Sequence, residues 1–592
     1  MKRSASPSVI ARLLRYTKPY RLQLALAILG AICSVAASLL TPFLTGKAID
    51  SIVGPGNVQM SIVLRYITVL IAVTAIGGIF QWILAAATNS LAFSTSKDLR
   101  DAVFAHIQKL PLQYLDRQAH GDMISRLASD VDKISDGLLQ GFTQLFSGLM
   151  TILGTLAFMF TINPIIAAAV VVLTPLSLFV ASFIAKRSHA MFQKQSAMRG
   201  KISGYFEESV SCARVIQSLG HEAQTQEEFE QLNSELYQCG FRAQFYSALT
   251  NPCTRFVNNV VYAAVGTVGA ILVLLRGVMS PGTLTTFLLY ANQYTKPFNE
   301  ITGVVTELQT AIAAAKRVFA VLDAEPESDD SALPALQDCD GTVDLEHVRF
   351  SYRPDTQLIR DLNLHVPQGN IVAIVGPTGC GKTTLINLLM RFYDVNDGVV
   401  RVSDTPIRDV TRKSLRNCYG MVLQDTWLFS GTIRDNIRYG NPDATEDQIR
   451  AAAQQAHAHA FIEQFPDGYD TLLTDNGGNL SQGQRQLLCI ARIMLTDPPM
   501  LILDEATSSI DTRTELKIQQ AFHRMMQGRT CFIVAHRLST IKEADTILVM
   551  KDGNVIEQGT HAQLLARGGF YHTLYNSQFA DATLLAKNGA AV

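Results

Sequence analysis

The 592-residue chain has little charge and no paired cysteine motif. Its nine cysteines are scattered without a C-x-x-C pair, which predicts reduced thiols and excludes a disulfide framework or a cysteine zinc site. The formal net charge of −1 excludes the strongly basic surface that nucleic-acid binding needs, so no nucleic-acid partner is expected. A chain of this length exceeds one ordinary core, and we expect two or more domains.

The first half of the chain contains long stretches without a charged residue, at 22–46, 66–96, 137–185, 256–275 and 277–295. The third stretch is long enough for two spans, and Asn163-Pro164 near its middle supplies the break. The sequence therefore predicts six membrane-spanning helices. The segments 97–136 and 186–255 have helical patterning, so spans two to five are expected to continue beyond the membrane as long helices.

Lysine and arginine predict the orientation of these spans. They are concentrated in the N-terminal segment and after spans two and four, whereas the intervening loops carry only Lys47, Arg65 and Arg276. Because positive residues stay on the cytoplasmic side, both termini and the second half of the chain are expected in the cytoplasm. The chain is then a multi-pass protein of the inner (cytoplasmic) membrane. Residues 8–21 have amphipathic spacing and are expected to lie on the inner membrane surface.

The composition changes in the second half. Residues 323–340 are acidic and contain proline, which predicts a linker between a membrane domain at 1–322 and a soluble domain at 341–592. In the soluble domain, helices alternate with short β-rich runs at 343–350, 371–375, 500–503, 530–534 and 546–549. This alternation predicts an α/β domain with a mainly parallel central sheet.

A glycine-rich loop follows the apolar run 371–375 and precedes a helical pattern. It consists of Gly376, Pro377, Thr378, Gly379, Cys380, Gly381, Lys382, Thr383 and Thr384. Backbone N–H groups of such a loop close around the β- and γ-phosphates of a nucleotide, Lys382 adds a positive charge, and the Thr383 hydroxyl can hold Mg²⁺. The loop predicts that the chain binds ATP or GTP. Cys380, beside Lys382 and a helix N-terminus, is expected to have a lowered pKa and raised reactivity.

Further polar residues follow other predicted strands. Asp504 and Glu505 end the run 500–503, and we expect Asp504 to reach the Mg²⁺ shell and Glu505 to polarise the attacking water. His536 follows the run 530–534 and is expected to contact the γ-phosphate. Ser481 precedes a helical pattern as an N-cap, and the amides after it offer a second anion-binding site.

Together these motifs resemble those of the ATP-binding cassette (ABC) transporters, specifically exporter-type half-transporters, over essentially the whole chain. The resemblance implies the type I ABC exporter fold, a membrane α-helical domain with six transmembrane helices fused to an α/β P-loop nucleotide-binding domain. Its implied site residues are Tyr352 stacked on adenine, Gln424 in the Q-loop and near Mg²⁺, Ser481, Gly483 and Gln484 in the signature, 508–511 in the D-loop and His536 as the switch histidine.

The same resemblance implies how two chains work together. Two nucleotide-binding domains sandwich two ATP molecules, each held by one P-loop and by the partner's signature. Segments 110–116 and 214–222 fall where the family places its two coupling helices. Gln482 stands where the family commonly has the first glycine of Leu-Ser-Gly-Gly-Gln, and 474–479 also differs from the common pattern. Both features resemble the catalytically complete chain of asymmetric exporters, which favours a heterodimer with a different half-transporter over a homodimer.

The function that these features predict is ATP-driven export of an amphiphilic small molecule, a lipid or a peptide by alternating access. A nucleotide-gated channel or regulator on the same fold is one alternative, and an exporter-shaped importer of a metal-chelate complex is another. The predicted spans have no charged residue in their cores, and their polar side chains are Gln81, Asn89, Gln140, Gln144, Asn258, Asn259, Tyr290, Asn292 and Gln293. These groups either hydrogen-bond between helices or form a neutral pocket, which favours amphiphiles or lipids over highly charged ions. The transported compound stays open.

Overall fold

The computed structural model describes residues 9–52, 58–274, 279–353, 358–423, 426–474, 477–504, 511–534 and 538–577. The chain divides into two compact units. The first comprises Met1–Lys109 and Gln118–Glu325, and the second comprises Leu110–Arg117 and Pro326–Val592. The domain limits at 322/323 and 340/341 stay predictions, and the division between the two units falls inside the segment that the sequence predicts as a linker.

The first unit is helical. The helices as far as the end of this unit are, in chain order, α1 (Val9–Tyr16), α2 (Arg21–Asp50), α3 (Met60–Ile107), α4 (Leu112–Asp116), α5 (His120–Ser125), α6 (Val131–Gln140), α7 (Phe146–Ile162), α8 (Pro164–Ser211), α9 (Ala213–Leu219), α10 (Glu222–Leu274) and α11 (Pro281–Leu322). Of these, α4 belongs to the second unit. Wider π-helical turns at Arg126–Asp130 and Gly141–Leu145 join α5, α6 and α7 into one run.

Three helical stretches of the described residues are long and apolar enough to cross a membrane. They are Lys18–Asp50, Met60–Ile107 and His120–Ile162, and they contain the first three predicted spans. The other predicted spans lie in α8, α10 and α11, which have 48, 53 and 42 residues. The long helices expected beyond the spans are present: α3 continues past its apolar stretch to Ile107, α8 continues to Ser211, and α10 begins at Glu222, well before its apolar stretch.

The break predicted inside the longest apolar stretch is confirmed at Asn163-Pro164. Helix α7 ends at Ile162, and α8 begins at Pro164 with Asn163 as its N-cap. The Asn163 side-chain oxygen accepts hydrogen bonds from the backbone N–H groups of Ile165 at 3.0 Å and Ile166 at 3.2 Å. Proline fits the first helical position because its missing N–H would have no partner there, and the Asn cap satisfies two of the exposed N–H groups that follow.

Polar side chains link α11 to other helices of the first unit. The buried Tyr290 hydroxyl donates to the Leu39 carbonyl of α2 at 2.6 Å, and Gln293 Nε2 donates to the Ser38 carbonyl at 3.2 Å. Arg317 pairs with the buried Asp130 at 2.6 Å. Two of the polar residues predicted from the spans thus hydrogen-bond between helices, where each polar group must find a partner inside the protein.

The second unit is an α/β domain. Its strands are β1 (Val343–Phe350), β2 (Ile359–Val366), β3 (Ile371–Val375), β4 (Asp397–Val402), β5 (Thr405–Pro406), β6 (Tyr419–Val422), β7 (Gly431–Thr432), β8 (Leu472–Leu473), β9 (Met500–Asp504), β10 (Thr530–Val534), β11 (Thr546–Lys551) and β12 (Asn554–Gly559). Its helices after α4 are α12 (Lys382–Leu389), α13 (Arg412–Asn417), α14 (Ile433–Arg438), α15 (Glu446–Gln455), α16 (His459–Ile462), α17 (Gln482–Thr496), α18 (Thr512–Met526), α19 (Leu538–Glu543) and α20 (His561–Arg567).

The predicted parallel sheet is present with strand order β12-β11-β3-β10-β9-β6. All neighbours are parallel except β11 and β12. Both faces of this sheet are covered: along β3, Val372 and Ile374 pack into one apolar cluster, and Ala373 and Val375 pack into another. Continuous burial of this kind explains why the runs 371–375 and 530–534 are apolar at every position.

The predicted run 343–350 is a strand, and it lies outside the parallel sheet. Strand β1 pairs antiparallel with β2 and β4 in a separate sheet of order β2-β1-β4-β5. Its residues alternate between buried and exposed positions over much of its length, as expected for a strand with one face on the core and one in solvent. The apolar cluster that contains Val372 and Ile374 also contains Val343 and Leu345, so the two sheets share a core.

The segment after Glu325 packs on α13 of the second unit. Arg412, which is 8% exposed, donates to the Ser328 carbonyl at 3.0 Å and lies 3.5 Å from an Asp330 carboxylate oxygen. The Leu336 N–H donates to the Ser414 hydroxyl at 2.9 Å. These contacts hold this part of the predicted linker in one conformation. Its acidic, proline-containing composition alone does not predict such order.

Candidate nucleotide site

The candidate catalytic residues follow the ends of neighbouring strands. Strands β3, β10, β9 and β6 are adjacent and parallel, so their carboxyl ends lie along one edge of the sheet. Val534 of β10 pairs with Ile374 of β3 on one side and with Asp504 of β9 on the other. Crevices at the carboxyl edge of a parallel sheet are where α/β proteins bind ligands, so one edge gathers the glycine loop and Asp504.

The glycine loop joins β3 to α12. Gly379 and Gly381 have φ values of 81° and 104°, a region that residues with a side chain rarely adopt. A Cβ on Gly376 would lie 2.6 Å from the Cys380 sulfur, so the loop also closes too tightly for a side chain there. Helix α12 begins at Lys382 with Gly381 as its N-cap, and no side chain caps its first N–H groups. These donors and the positive end of the helix dipole form a cradle for phosphate oxygens.

The charged and oxygen-bearing groups of the site match a magnesium nucleotide. The Lys382 ammonium donates to the carbonyls of Gly376 at 2.8 Å and Pro377 at 3.0 Å, which holds the cation at the loop. Thr383 is exposed at the start of α12, and Asp504 is partly buried at the end of β9. A hydroxyl and a carboxylate are hard oxygen ligands of the type that Mg²⁺ prefers. The residues present therefore fit the cofactor pair that the sequence predicts.

Tyr352 forms hydrogen bonds with α12, the helix that follows the glycine loop. Its hydroxyl donates to the Thr384 hydroxyl at 3.2 Å and accepts a hydrogen bond from the Asn387 amide, also at 3.2 Å. Its ring meets those of Phe350 and Tyr393 edge to face, with centroids 4.9 and 5.0 Å away. This aromatic group provides the apolar ring surface that the prediction of adenine stacking requires.

Tyr393, which no sequence motif marks, connects this aromatic group to α4. The Tyr393 hydroxyl donates to Asp116 at 2.6 Å, and Arg117 donates to the Tyr352 carbonyl at 3.1 Å. Burial, followed by the hydrogen bond to Asp116, raises the pKa of Tyr393 above its usual value. Leu112 of α4 packs against the same apolar cluster as Tyr393. The segment predicted as the first coupling helix is thus part of the second unit, and no sequence pattern near Tyr393 pointed to this contact.

The signature segment is confirmed as a helix N-terminus. Ser481 is the N-cap of α17, and its hydroxyl accepts from the Gln484 N–H at 3.3 Å while the Gln484 side chain accepts from the Ser481 N–H at 2.9 Å. This reciprocal pair is a capping box, which stabilises the start of a helix. Gly483 is buried, whereas Ser481 and Gln482 are exposed. The segment therefore presents the Gln482 side chain to solvent in the single chain.

Three candidate catalytic residues, Gln424, Glu505 and His536, lie outside the described residues, as do residues 508–510 of the predicted D-loop 508–511. The strands before them are described. Gln424 comes two residues after β6, Glu505 comes one residue after β9, and His536 comes two residues after β10. Their roles stay predictions that rest on these positions in the chain.

The expectation that Cys380 has a lowered pKa is wrong. Cys380 is only 3% exposed, and burial raises the pKa of its thiol more than the nearby Lys382 lowers it. By contrast, the pKa of the Cys339 thiol is lowered, chiefly by a hydrogen bond from the Cys418 thiol. Cys339 is also more accessible, because it is only partly buried.

We therefore expect a maleimide to modify Cys339 faster than Cys380 at neutral pH. The thiolate is the reacting form, and both the direction of the pKa shifts and the accessibility of the thiols favour Cys339. Peptide mass spectrometry over a time course measures both sites in the same sample. Modification of Cys380 before Cys339 would contradict the burial of the loop thiol.

Two family models match the chain. The model for the ABC transporter transmembrane region matches residues 24–298, and the model described as ABC transporter matches residues 359–508. Among curated proteins, the chain is 43% identical to a fatty acid ABC transporter ATP-binding/permease protein of Mycobacterium tuberculosis, over 88% of this chain and 82% of that protein. It is 40% identical to the uncharacterized ABC transporter ATP-binding protein YfiC of Bacillus subtilis, over 98% and 95%.

A lipid transporter and a solved structure are also similar over nearly the full length. The ATP-dependent lipid A-core flippase of Chromohalobacter salexigens is 34% identical over 98% of this chain and all of that protein. The structure of a bacterial Atm1-family ABC exporter with ATP bound superposes with a TM-score of 0.78 at 27% identity, covering 94% of this chain and 98% of that one. The chain therefore belongs to the ABC transporters, as an exporter that joins a transmembrane domain to an ATP-hydrolysing nucleotide-binding domain in one polypeptide.

Proposed function

We propose that this chain is one half of an exporter that moves an amphiphilic small molecule, a lipid or a peptide out of the cytoplasm by alternating access. The observation that carries the proposal is the shared edge of β3, β10 and β9, which gathers a phosphate cradle and a carboxylate in a chain that also contains membrane-spanning helices. Two relatives, one named as a fatty acid transporter and the other as a lipid A-core flippase, support an amphiphilic substrate. The distribution of lysine and arginine supports an orientation of the protein in which the ATP site faces the cytoplasm.

In this proposal each site residue has one task. The N–H groups of Gly379, Cys380 and Gly381, together with Lys382, bind the phosphates. Thr383, Asp504 and Gln424 hold Mg²⁺, which supplies charge neutralisation for the transferred phosphoryl group. Glu505 orients and polarises the attacking water, and His536 contacts the γ-phosphate. Tyr352 stacks on adenine.

The second task of the chain is to complete a partner's site. ABC exporters act as dimers, and the exposure of the signature residues Ser481 and Gln482 at the start of α17 supports a role in meeting a partner's nucleotide. Val215 and Leu219 of α9 are 56% and 66% exposed, as expected for an apolar surface that a second chain covers. The exposed Trp427, Phe429 and Tyr439 form an aromatic surface of the same kind.

The Gln482 side chain favours a different chain as that partner. A glycine lets the signature backbone approach a γ-phosphate closely, whereas glutamine adds bulk and a competing amide. The site completed by Gln482 is then the less active of two. The test is to purify the tagged chain from its native host and identify what accompanies it. A second, different half-transporter in equal amount supports the heterodimer, and a stable, substrate-stimulated dimer of this chain alone contradicts it.

A substitution at Gln482 distinguishes the two assemblies by rate. In the heterodimer, Gln482→Gly should change total ATP hydrolysis by less than about twofold, because the productive site uses Glu505 of this chain with the partner's signature. In a homodimer the same change alters both sites and should shift turnover by roughly severalfold. Steady-state ATPase rates of matched preparations measure the difference. A severalfold change in a preparation that contains two different chains would contradict the assigned weak site.

A further inference from the structure

A cavity of about 630 Å³ lies among α2, α3 and α11 in the first unit. Its wall includes small or hydroxyl-bearing residues of α2, glycines and Thr74 of α3, and the amides Gln81, Asn292 and Gln293. Lys296 of α11 also lines it and is the one charged residue among the described residues of this wall. The predicted spans are uncharged because the last apolar stretch ends at Thr295, one residue before this lysine.

A polar wall of this kind does not suit contact with lipid chains. Uncompensated polar and charged groups are costly against hydrocarbon, so they face the protein interior or a water-filled path. The hydroxyls of Thr41 and Thr74 donate to carbonyls of their own helices, and Gln293 donates to α2. Those groups are already engaged as donors. Among the donors left to an occupant are the amides of Gln81 and Asn292 and the Lys296 ammonium, for which the described residues provide no side-chain partner.

We propose that this cavity holds the anionic headgroup of a long-chain amphiphile, with Lys296 as its counter-charge. The inference rests on the proposed export function and adds the charge class of the substrate. An ammonium group binds carboxylate and phosphate as a compact point charge, so either headgroup has the required chemistry. The two amide donors complete the hydrogen bonding of an oxyanion, and the exposed apolar surface of the spanning helices suits the chain of the amphiphile.

The test compares four compounds that share a sixteen-carbon chain: a carboxylate, a phosphate monoester, a neutral alcohol and a quaternary amine. The assembled transporter, with any half-transporter that purifies with it, is reconstituted, and the concentration for half-maximal stimulation of ATP hydrolysis is measured. We expect both anions to act at lower concentration than the alcohol and the amine. The more potent of the two anions identifies the headgroup.

Charge removal at Lys296 should act on the anions alone. Lys296→Gln should raise the half-maximal concentration of the preferred anion by about tenfold or more, as expected for loss of a charge-assisted hydrogen bond. It should leave the alcohol unchanged, and Lys296→Arg should keep the anion response within about twofold. Lys316→Gln is the matched control, because this lysine is exposed on the same helix and does not line the cavity.

A second variant removes one competing explanation. Glu300 lies one turn after Lys296 in α11, so loss of the lysine alone could act by leaving this acid without a counter-charge. The double variant Lys296→Gln/Glu300→Gln should show the same loss as the single one. Recovery of the anion response in the double variant would overturn the proposal, as would an equal shift for the alcohol. Transport of the same four compounds into the reconstituted vesicles separates this inference from the proposed function. If none of them is transported while hydrolysis continues, the proposed export function fails; if only the alcohol or the amine is transported, this inference alone fails.

Discussion

Replacing Glu505 with Gln will lower steady-state ATP hydrolysis by about 10²-fold or more, the range expected when a general base is lost. ATP binding should persist, because the proposed phosphate contacts are made by the glycine loop and Lys382, which keep their own hydrogen bonds in this variant. Glutamine has nearly the same shape as glutamate but cannot take a proton from water. Hydrolysis is measured by phosphate release, and binding is measured by a fluorescent ATP analogue on the same preparation.

Two further variants show whether the carboxylate itself matters. Glu505→Asp keeps the charge but withdraws it by one methylene, so its activity should fall between that of the wild type and the glutamine variant. Asp447→Asn removes an exposed carboxylate at the start of α15 and should hydrolyse ATP at the wild-type rate. A glutamine variant with near-normal turnover would remove Glu505 from its proposed role.

Replacing Lys382 with Ala will weaken nucleotide binding itself. A charge-assisted hydrogen bond contributes about 1.5–3 kcal/mol, so the Kd for ATP should rise by about 10- to 100-fold. The Lys382 ammonium also bridges the carbonyls of Gly376 and Pro377, so its loss should loosen the glycine loop. Binding is measured by titration with Mg-ATP and, separately, with adenosine.

Adenosine provides the internal control for this variant. It has no phosphate, so its weak binding through Tyr352 should be the same with lysine or alanine at position 382. Lys413→Ala, in the first turn of α13, is the matched lysine control and should bind ATP normally. Tight ATP binding by Lys382→Ala would contradict the position assigned to the lysine.

Local sequence signals predicted much of the fold. The limits of β1, β3 and β10 coincide with the predicted runs, because buried strands are continuous or alternating apolar segments. The break at Asn163 was equally readable, since proline and an asparagine cap act within a few residues of one another. The glycine loop and the Ser481 cap are local motifs of the same kind.

What the sequence did not show depends on contacts between distant residues. The pairing of β1 with β2 and β4, and the contact of Asp116 with Tyr393, join segments whose separation leaves no periodic signal. The pKa of Cys380 was misjudged for the same reason: Lys382 is visible two residues away, but the burial of the thiol is a property of the folded loop. Lys296 ends an apolar stretch in the sequence, and only the packing of α2, α3 and α11 places it in a cavity.

ATP-driven transport in sealed inside-out vesicles tests the central claim most directly. With a fluorescent sixteen-carbon amphiphile outside, wild-type vesicles should accumulate the probe against its gradient when Mg-ATP is added. Vesicles with Glu505→Gln, or wild-type vesicles with a non-hydrolysable analogue, should not. Equal movement in the glutamine variant, down the gradient only, would contradict an ATP-driven exporter and identify a nucleotide-gated channel instead.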